Sequence, residues 1–94
     1  MRESFPIQLL FEAESHVITV ELTSGDSYRG VLLSAEENMN VRLAQAQLTT
    51  RAGSVSTVEH VIIRGDKIRF VVFPPFLRFH PMFQEEKEAV GNAK

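Results

Sequence analysis

Between His16 and Phe73 the chain is written as short runs that alternate apolar and polar residues, rich in Val, Ile and Thr and parted by clusters of Gly, Asn, Asp and Ser. A period of two sends successive side chains to opposite faces of an extended backbone, so each run has one face to bury and one to expose. His16–Leu22 sets Ile18, Val20 and Leu22 on one face and Thr19 and Glu21 on the other. Ser24-Gly25-Asp26 supplies a turn, and Ser27–Ser34 follows with Tyr28 and Leu32 on one face and Gly30 between them. A glycine inside a strand allows a sharp bend or a bulge. Ala35–Asn38 reads as a loop, Met39–Thr50 as a strand with Val41 and Leu43 facing together and Leu48 further on, and Arg51-Ala52-Gly53-Ser54 as a hairpin turn. Val55–Ile63 and Ile68–Phe73 complete the set, separated by Arg64-Gly65-Asp66. On the last run Ile68, Phe70 and Val72 are expected to share the buried face, and Pro74-Pro75 ends it because proline cannot join an interior ladder.

Ahead of the first strand, Pro6–Ser15 carries Leu9, Leu10 and Ala13 at helical spacing. So short a helix does not stand alone and needs the sheet to lie on. The expected fold is mostly β: a short N-terminal helix followed by a strongly bent five-stranded antiparallel sheet, a small open barrel. No compositional break divides the chain before Pro74, so residues 5–79 read as a single domain. Residues 80–94 read as a C-terminal extension, partly helical or disordered. Phe76, Leu77, Phe79, Met82 and Phe83 are expected to pack on the barrel or on a partner before the text turns polar at QEEKEAVGNAK.

Composition excludes several classes. With 12 acidic residues against 10 Lys and Arg the net charge is −2, so the chain is no uniformly basic nucleic-acid coat, although a local basic site is allowed. There is no cysteine for a disulfide framework, a thiol nucleophile or a cysteinate metal site. His16, His60 and His80 lack ligand spacing, and no phosphate-binding glycine loop, HExxH or GxSxG pattern occurs. Neither an enzyme nor a cofactor is expected, and no apolar run approaches the length of a membrane span.

Chemistry gathers instead in two loops, Glu36-Glu37-Asn38-Met39-Asn40 and Arg64-Gly65-Asp66. If the strands entering them run the same way, Asn38, Asn40 and Arg64 converge. An asparagine amide offers both donor and acceptor and can match one edge of an unpaired base. Arg64 has a flat cation that can stack on a base or pair with phosphate, and Gly65 allows close backbone approach. Asparagines in a tight turn also serve plain turn chemistry.

At these residues the sequence resembles the Sm and Sm-like family of RNA-binding proteins. The first family motif is similar to ITVELTSGDSYRGVLLSAEENMNVRL, residues 18–43, with Gly25, Tyr28, Gly30, Leu32, Glu36, Met39 and Asn40 at its fixed points. The second is similar to VIIRGDKIRFV, residues 61–71. The resemblance implies a ring of seven different Sm proteins around U-rich single-stranded RNA in the core of spliceosomal ribonucleoproteins. It implies other Sm proteins as partners, Sm B and Sm G as neighbours, and a nuclear location with assembly in the cytoplasm. It implies base stacking at Asn38, base reading at Asn40, and packing against the base by Arg64 with Gly65 behind it. Many relatives carry an aromatic residue or His at the position of Asn38, a small polar residue at that of Asp66, and Gly at that of Ser15. The acidic end contrasts with the long basic Arg-Gly tail of many relatives, so tail-dependent contacts are not carried over. A ring of the Sm-like kind, in U6 particles or mRNA decay, a specialised variant for one snRNA, and a protein-interaction scaffold without RNA contact are the alternatives.

Overall fold

The computed structural model describes residues 7–79. The extension expected over 80–94, with His80, Met82 and Phe83, lies outside the described residues, as do Phe5 and Pro6. Helix α1 (Ile7–Glu12) is followed by β1 (Val17–Leu22), β2 (Ser27–Ala35), β3 (Val41–Thr49), β4 (Val55–Ile63) and β5 (Ile68–Val72). A 3-10 turn spans Gly65–Lys67 and another spans Pro75–Phe79. The five strands form one antiparallel sheet in the order β4-β3-β2-β1-β5. The fold is thus the bent, open five-stranded sheet behind a short helix that the alternation predicts.

The helix is shorter than its apolar spacing suggests. Ala13 N–H still reaches the carbonyls of Leu9 and Leu10, at 3.1 and 3.0 Å, but Ser15 then adopts φ 75° and turns the chain out of the helix. Ser15 N–H donates to Leu32 O at 2.7 Å and Glu14 Oε2 accepts Ala35 N–H at 3.3 Å, so the linker is tied to β2 at two points. Leu9, Leu10 and Ala13 are fully buried, together with Ile18, Val20, Leu32, Val41, Leu43, Ala46, Ile63, Ile68 and Leu77. This one cluster, drawn from the helix and the turn after it, the strands and the 3-10 turn Pro75–Phe79, is the core.

Bulges bend the long strands. Opposite Gly30, β3 carries an extra residue: Arg29 pairs with Gln47 but Val31 with Ala44, and Gln45 takes φ 50°. That extra residue moves the buried face of β3 from odd to even positions, from Val41 and Leu43 to Ala46 and half-buried Leu48. A β-carbon on Gly30 would lie 2.8 Å from Ala44 O and 2.9 Å from Ala46 Cα, so the close approach of β3 requires glycine here.

The facing expected for β5 is corrected by a second device of this kind. Leu22 pairs with Ile68 but Glu21 with Phe70, which leaves Arg69 as an extra residue. Beyond it the faces exchange. Ile68 is buried, Val71 and Phe73 pack against the core, Phe70 is only half-buried and Val72 is 53% exposed. Strict alternation cannot foresee a one-residue slip, and such a slip flips every later side chain.

The ends of the sheet stay open. Among the described residues, β4 and β5 each have one neighbour and are not paired with each other. Val55 and Ile62 on β4 and Val72 on β5 are exposed along these edges.

Candidate nucleic-acid interface

The strand order brings the two polar loops together. β2 is antiparallel to β3 and β3 to β4, so β2 and β4 run the same way and deliver their loops to the same end of the sheet. Val41 pairs with Ile63, which sets Asn40 and Arg64 beside each other just beyond the last paired residues.

The first loop is closed by its own backbone. Glu36 N–H donates to Asn40 O at 2.9 Å and Met39 N–H donates to Glu36 O at 2.8 Å. Met39 has φ 71°, a left-handed conformation unusual for a residue with a β-carbon. Its side chain packs on the core, while Asn38 is exposed and Asn40 half-buried. The apolar residue between two asparagines is therefore an anchor that turns its neighbours outward. Asn38 Oδ1 accepts Asn40 N–H at 3.1 Å, the local side-chain bond that asparagine makes in turns.

Asn40 connects the two loops. Its Oδ1 accepts the Gly65 N–H at 2.7 Å, and its Nδ2 donates to Glu36 Oε1 at 3.3 Å. These bonds fix which way the amide faces. One lone pair on Oδ1 and one hydrogen on Nδ2 remain, so the side chain still offers an acceptor and a donor. A β-carbon on Gly65 would collide with the Asn38 carbonyl oxygen and lie 2.8 Å from the Met39 carbonyl carbon. Only glycine lets the loops meet this closely.

The second loop is a 3-10 turn with Lys67 N–H donating to Arg64 O at 3.0 Å. Thr23 N–H donates to Lys67 O at 2.9 Å, which ties the turn to the end of β1. Arg64 Nη2 donates to Asp66 Oδ2 at 2.8 Å, and the two side chains are 71% and 56% exposed.

The structure thus brings Asn38, Asn40, Arg64 and Gly65 into one cluster at one end of the sheet. Glu36 as the partner of the Asn40 amide was missed as a site residue. Its signal was available: residues 36 and 40 flank a short loop between paired strands and so must face each other. The cluster has neither a nucleophile beside a base nor an opposed pair of carboxylates. It carries an amide edge and a flat cation on adjoining loops, groups whose chemistry suits an unpaired base.

The LSM domain model matches residues 8–73, the stretch holding all five strands and both loops. The chain belongs to this LSM family. It is 48% identical over 79 residues to the small nuclear ribonucleoprotein SmD3b of Arabidopsis thaliana, covering 84% of this chain and 60% of that protein. It is 46% identical over 81 residues to Sm D3 of Schizosaccharomyces pombe, covering 86% and 84% of the two chains. This chain therefore spans less than two thirds of the length of the plant relative. Among solved structures it superimposes on the Sm protein of Pyrococcus abyssii in complex with a uridine heptamer. That match has a TM-score of 0.68 and 25% identity, covering 73% of this chain and 97% of the other.

Proposed function

We propose that this chain is a non-enzymatic subunit of a heteroheptameric Sm ring that encircles a U-rich single strand of a spliceosomal snRNA, in the position that Sm D3 proteins occupy. The single Sm domain is assigned to residues 5–79. Asn40 carries the reading. After bonding Gly65 and Glu36 its amide keeps one donor and one acceptor, the complement of the uracil edge with its N–H and carbonyl. Asn38 lies on one side of that amide along the chain, and Arg64 and Gly65 follow from the second loop. These are the groups assigned to RNA. The likeness to a protein solved with a uridine heptamer supports the base, and the identity to proteins named Sm D3 supports the ring.

The open edges supply the assembly. Unpaired strand edges that carry exposed Val55, Ile62 and Val72 are an association hazard in a free monomer. Strand addition between neighbours satisfies both edges at once, and closing a ring leaves none. Sm B and Sm G are the proposed neighbours, in the nucleus after assembly in the cytoplasm. Each pocket binds weakly, and a shared strand makes the pockets additive. Native mass spectrometry of the purified complex, with its RNA sequenced, tests the proposal. Seven different Sm subunits and a U-rich snRNA are expected, whereas an Sm-like set or an RNA-free complex would overturn it.

A further inference from the structure

Arg64 is the only residue among Asn38, Asn40, Arg64 and Gly65 that bears a charge, and in the structure that charge is already engaged by Asp66 two residues later, at 2.8 Å. The acid is no wandering surface group. Its backbone sits in the middle of the Gly65–Lys67 turn. That turn is pinned by the Gly65 N–H on Asn40, by the Lys67 N–H on Arg64 O and by the Thr23 N–H on Lys67 O. The carboxylate is thus carried on a fixed backbone next to the Asn40–Gly65 junction, and Arg64 bonds to it from the residue that opens the turn.

The chemistry of the pair separates two uses of arginine. All guanidinium hydrogen bonds lie in its plane, so a carboxylate on Nη2 takes one edge and leaves both flat faces open. Stacking on a base needs a face; clamping a phosphate needs a free edge and net charge. The surrounding charge points the same way. Over residues 36–40 and 64–67 there are three carboxylates, Glu36, Glu37 and Asp66, against two cations, Arg64 and Lys67. A phosphate is not drawn to such a loop pair, whereas the face of a neutral base suffers no such repulsion.

We infer that Asp66 is a specificity-determining residue that acts through Arg64. It neutralises the guanidinium and holds it beside the Asn40–Gly65 junction, making Arg64 a stacking surface for an unpaired base and not a phosphate clamp. Asp66 is a positioning residue; it touches Arg64, and no contact of its own with RNA is invoked. The inference rests on the RNA-binding reading above and deepens it. Without the acid, Arg64 is free to follow phosphates, and binding becomes more electrostatic and less selective for the base.

The test uses rings reconstituted with the partner Sm proteins and carrying wild type, Asp66→Ser, Asp66→Asn or Asn40→Ala. Affinity for a uridine heptamer and a scrambled heptamer is measured across a range of salt concentrations. Asp66→Ser is expected to steepen the dependence of log affinity on log salt by about 0.7, the increment for one phosphate on a single strand. The same change is expected to lower affinity for the uridine heptamer at high salt, where phosphate contacts are screened, by about fivefold, the low end for losing one stacked base, and to reduce the preference for uridine. Asp66→Asn keeps an oxygen acceptor for Nη2 and removes only the charge, so it is expected to steepen the salt dependence while retaining most of the uridine preference. A merely structural role for Asp66 would move affinity without moving the salt slope. If Asn40→Ala weakens binding but both Asp66 variants match wild type in slope and preference, the inference on Asp66 is overturned and the RNA-binding reading stands. If the wild-type ring does not prefer the uridine heptamer, both are overturned.

Discussion

The side-chain carbonyl of Asn40 accepts the backbone N–H of Gly65 at 2.7 Å, joining two loops that are 25 residues apart in sequence. One amide thus serves the fold and faces the proposed ligand. Replacing Asn40 by Ala strands the Gly65 N–H in a partly buried position, at a cost of about 1–3 kcal/mol. Asn40→Asp keeps the acceptor and loses the donor. Thermal unfolding is expected to show Asn40→Ala clearly less stable than wild type, while affinity of reconstituted rings for a U-rich oligomer falls in both variants. Wild-type stability of Asn40→Ala would show that the bond to Gly65 contributes nothing, and undiminished uridine binding by Asn40→Asp would remove the amide from the recognition edge.

Gly65→Ala tests the same junction from the other side. The added carbon has no room between the Asn38 carbonyl and Met39, and backbone cannot move aside as a flexible side chain can. The loops must part, which overpacking values put at about 1–3 kcal/mol. Faster hydrogen exchange of the residue 65 amide is expected, because its bond to Asn40 is the first to open. An unchanged exchange rate would mean that the loops tolerate the separation.

Ser15 occupies a left-handed conformation, φ 75°, at the corner between α1 and β1. For a residue with a β-carbon this costs about 1–2 kcal/mol. Glycine removes that cost and returns about 0.5–1 kcal/mol of it as extra backbone entropy in the unfolded chain. Ser15→Gly is therefore expected to raise stability by roughly 0.5–1 kcal/mol, keeping the backbone bond from residue 15 to Leu32. Chemical denaturation measures this directly, and a loss of stability would mean that the serine hydroxyl contributes more than its backbone costs.

The elements were legible because local and global signals agree. Val, Ile and Thr alternate where strands form, and Gly25 and Gly53, at φ 95° and 99°, mark the two tight hairpin turns. The convergence of Asn40 and Arg64 was legible only as a condition on strand direction, which the order β4-β3-β2-β1-β5 satisfies. Bulges were the illegible part. Gly30 signals a bend, but the extra residue sits across from it at Gln45, where the sequence gives no warning. At Arg69 there is not even a glycine, and the slip is decided by the joint demand that Ile68 pair with Leu22 and Val71 reach the core. The bond from Asn40 to Glu36 followed from hairpin geometry and was hidden because acidic neighbours in a loop read as solvated charge. Likewise the pairing of Arg64 with Asp66 depends on the 3-10 turn between them, which three residues of sequence do not specify.

The bulge at Arg69 makes a sharp prediction about β5. Ile68 is fully enclosed in the core, at 1% exposure, so Ile68→Ala should cost about 2–5 kcal/mol through lost transfer energy and an unfilled cavity. Phe70 is the larger residue, and strict alternation would make it the costlier one to remove, at about 3–5 kcal/mol. The observed register reverses that order. Phe70 pairs with Glu21 on the half-exposed side, outside the core cluster, while Val71 and Phe73 pack inward. Phe70→Ala is therefore expected to destabilise less than Ile68→Ala when the two are unfolded by denaturant in the same oligomeric state. Val71→Ala supplies the control, because its smaller side chain should still matter if its face is the inner one. A greater cost for Phe70→Ala than for Ile68→Ala, with Val71→Ala silent, would restore simple alternation and remove the bulge.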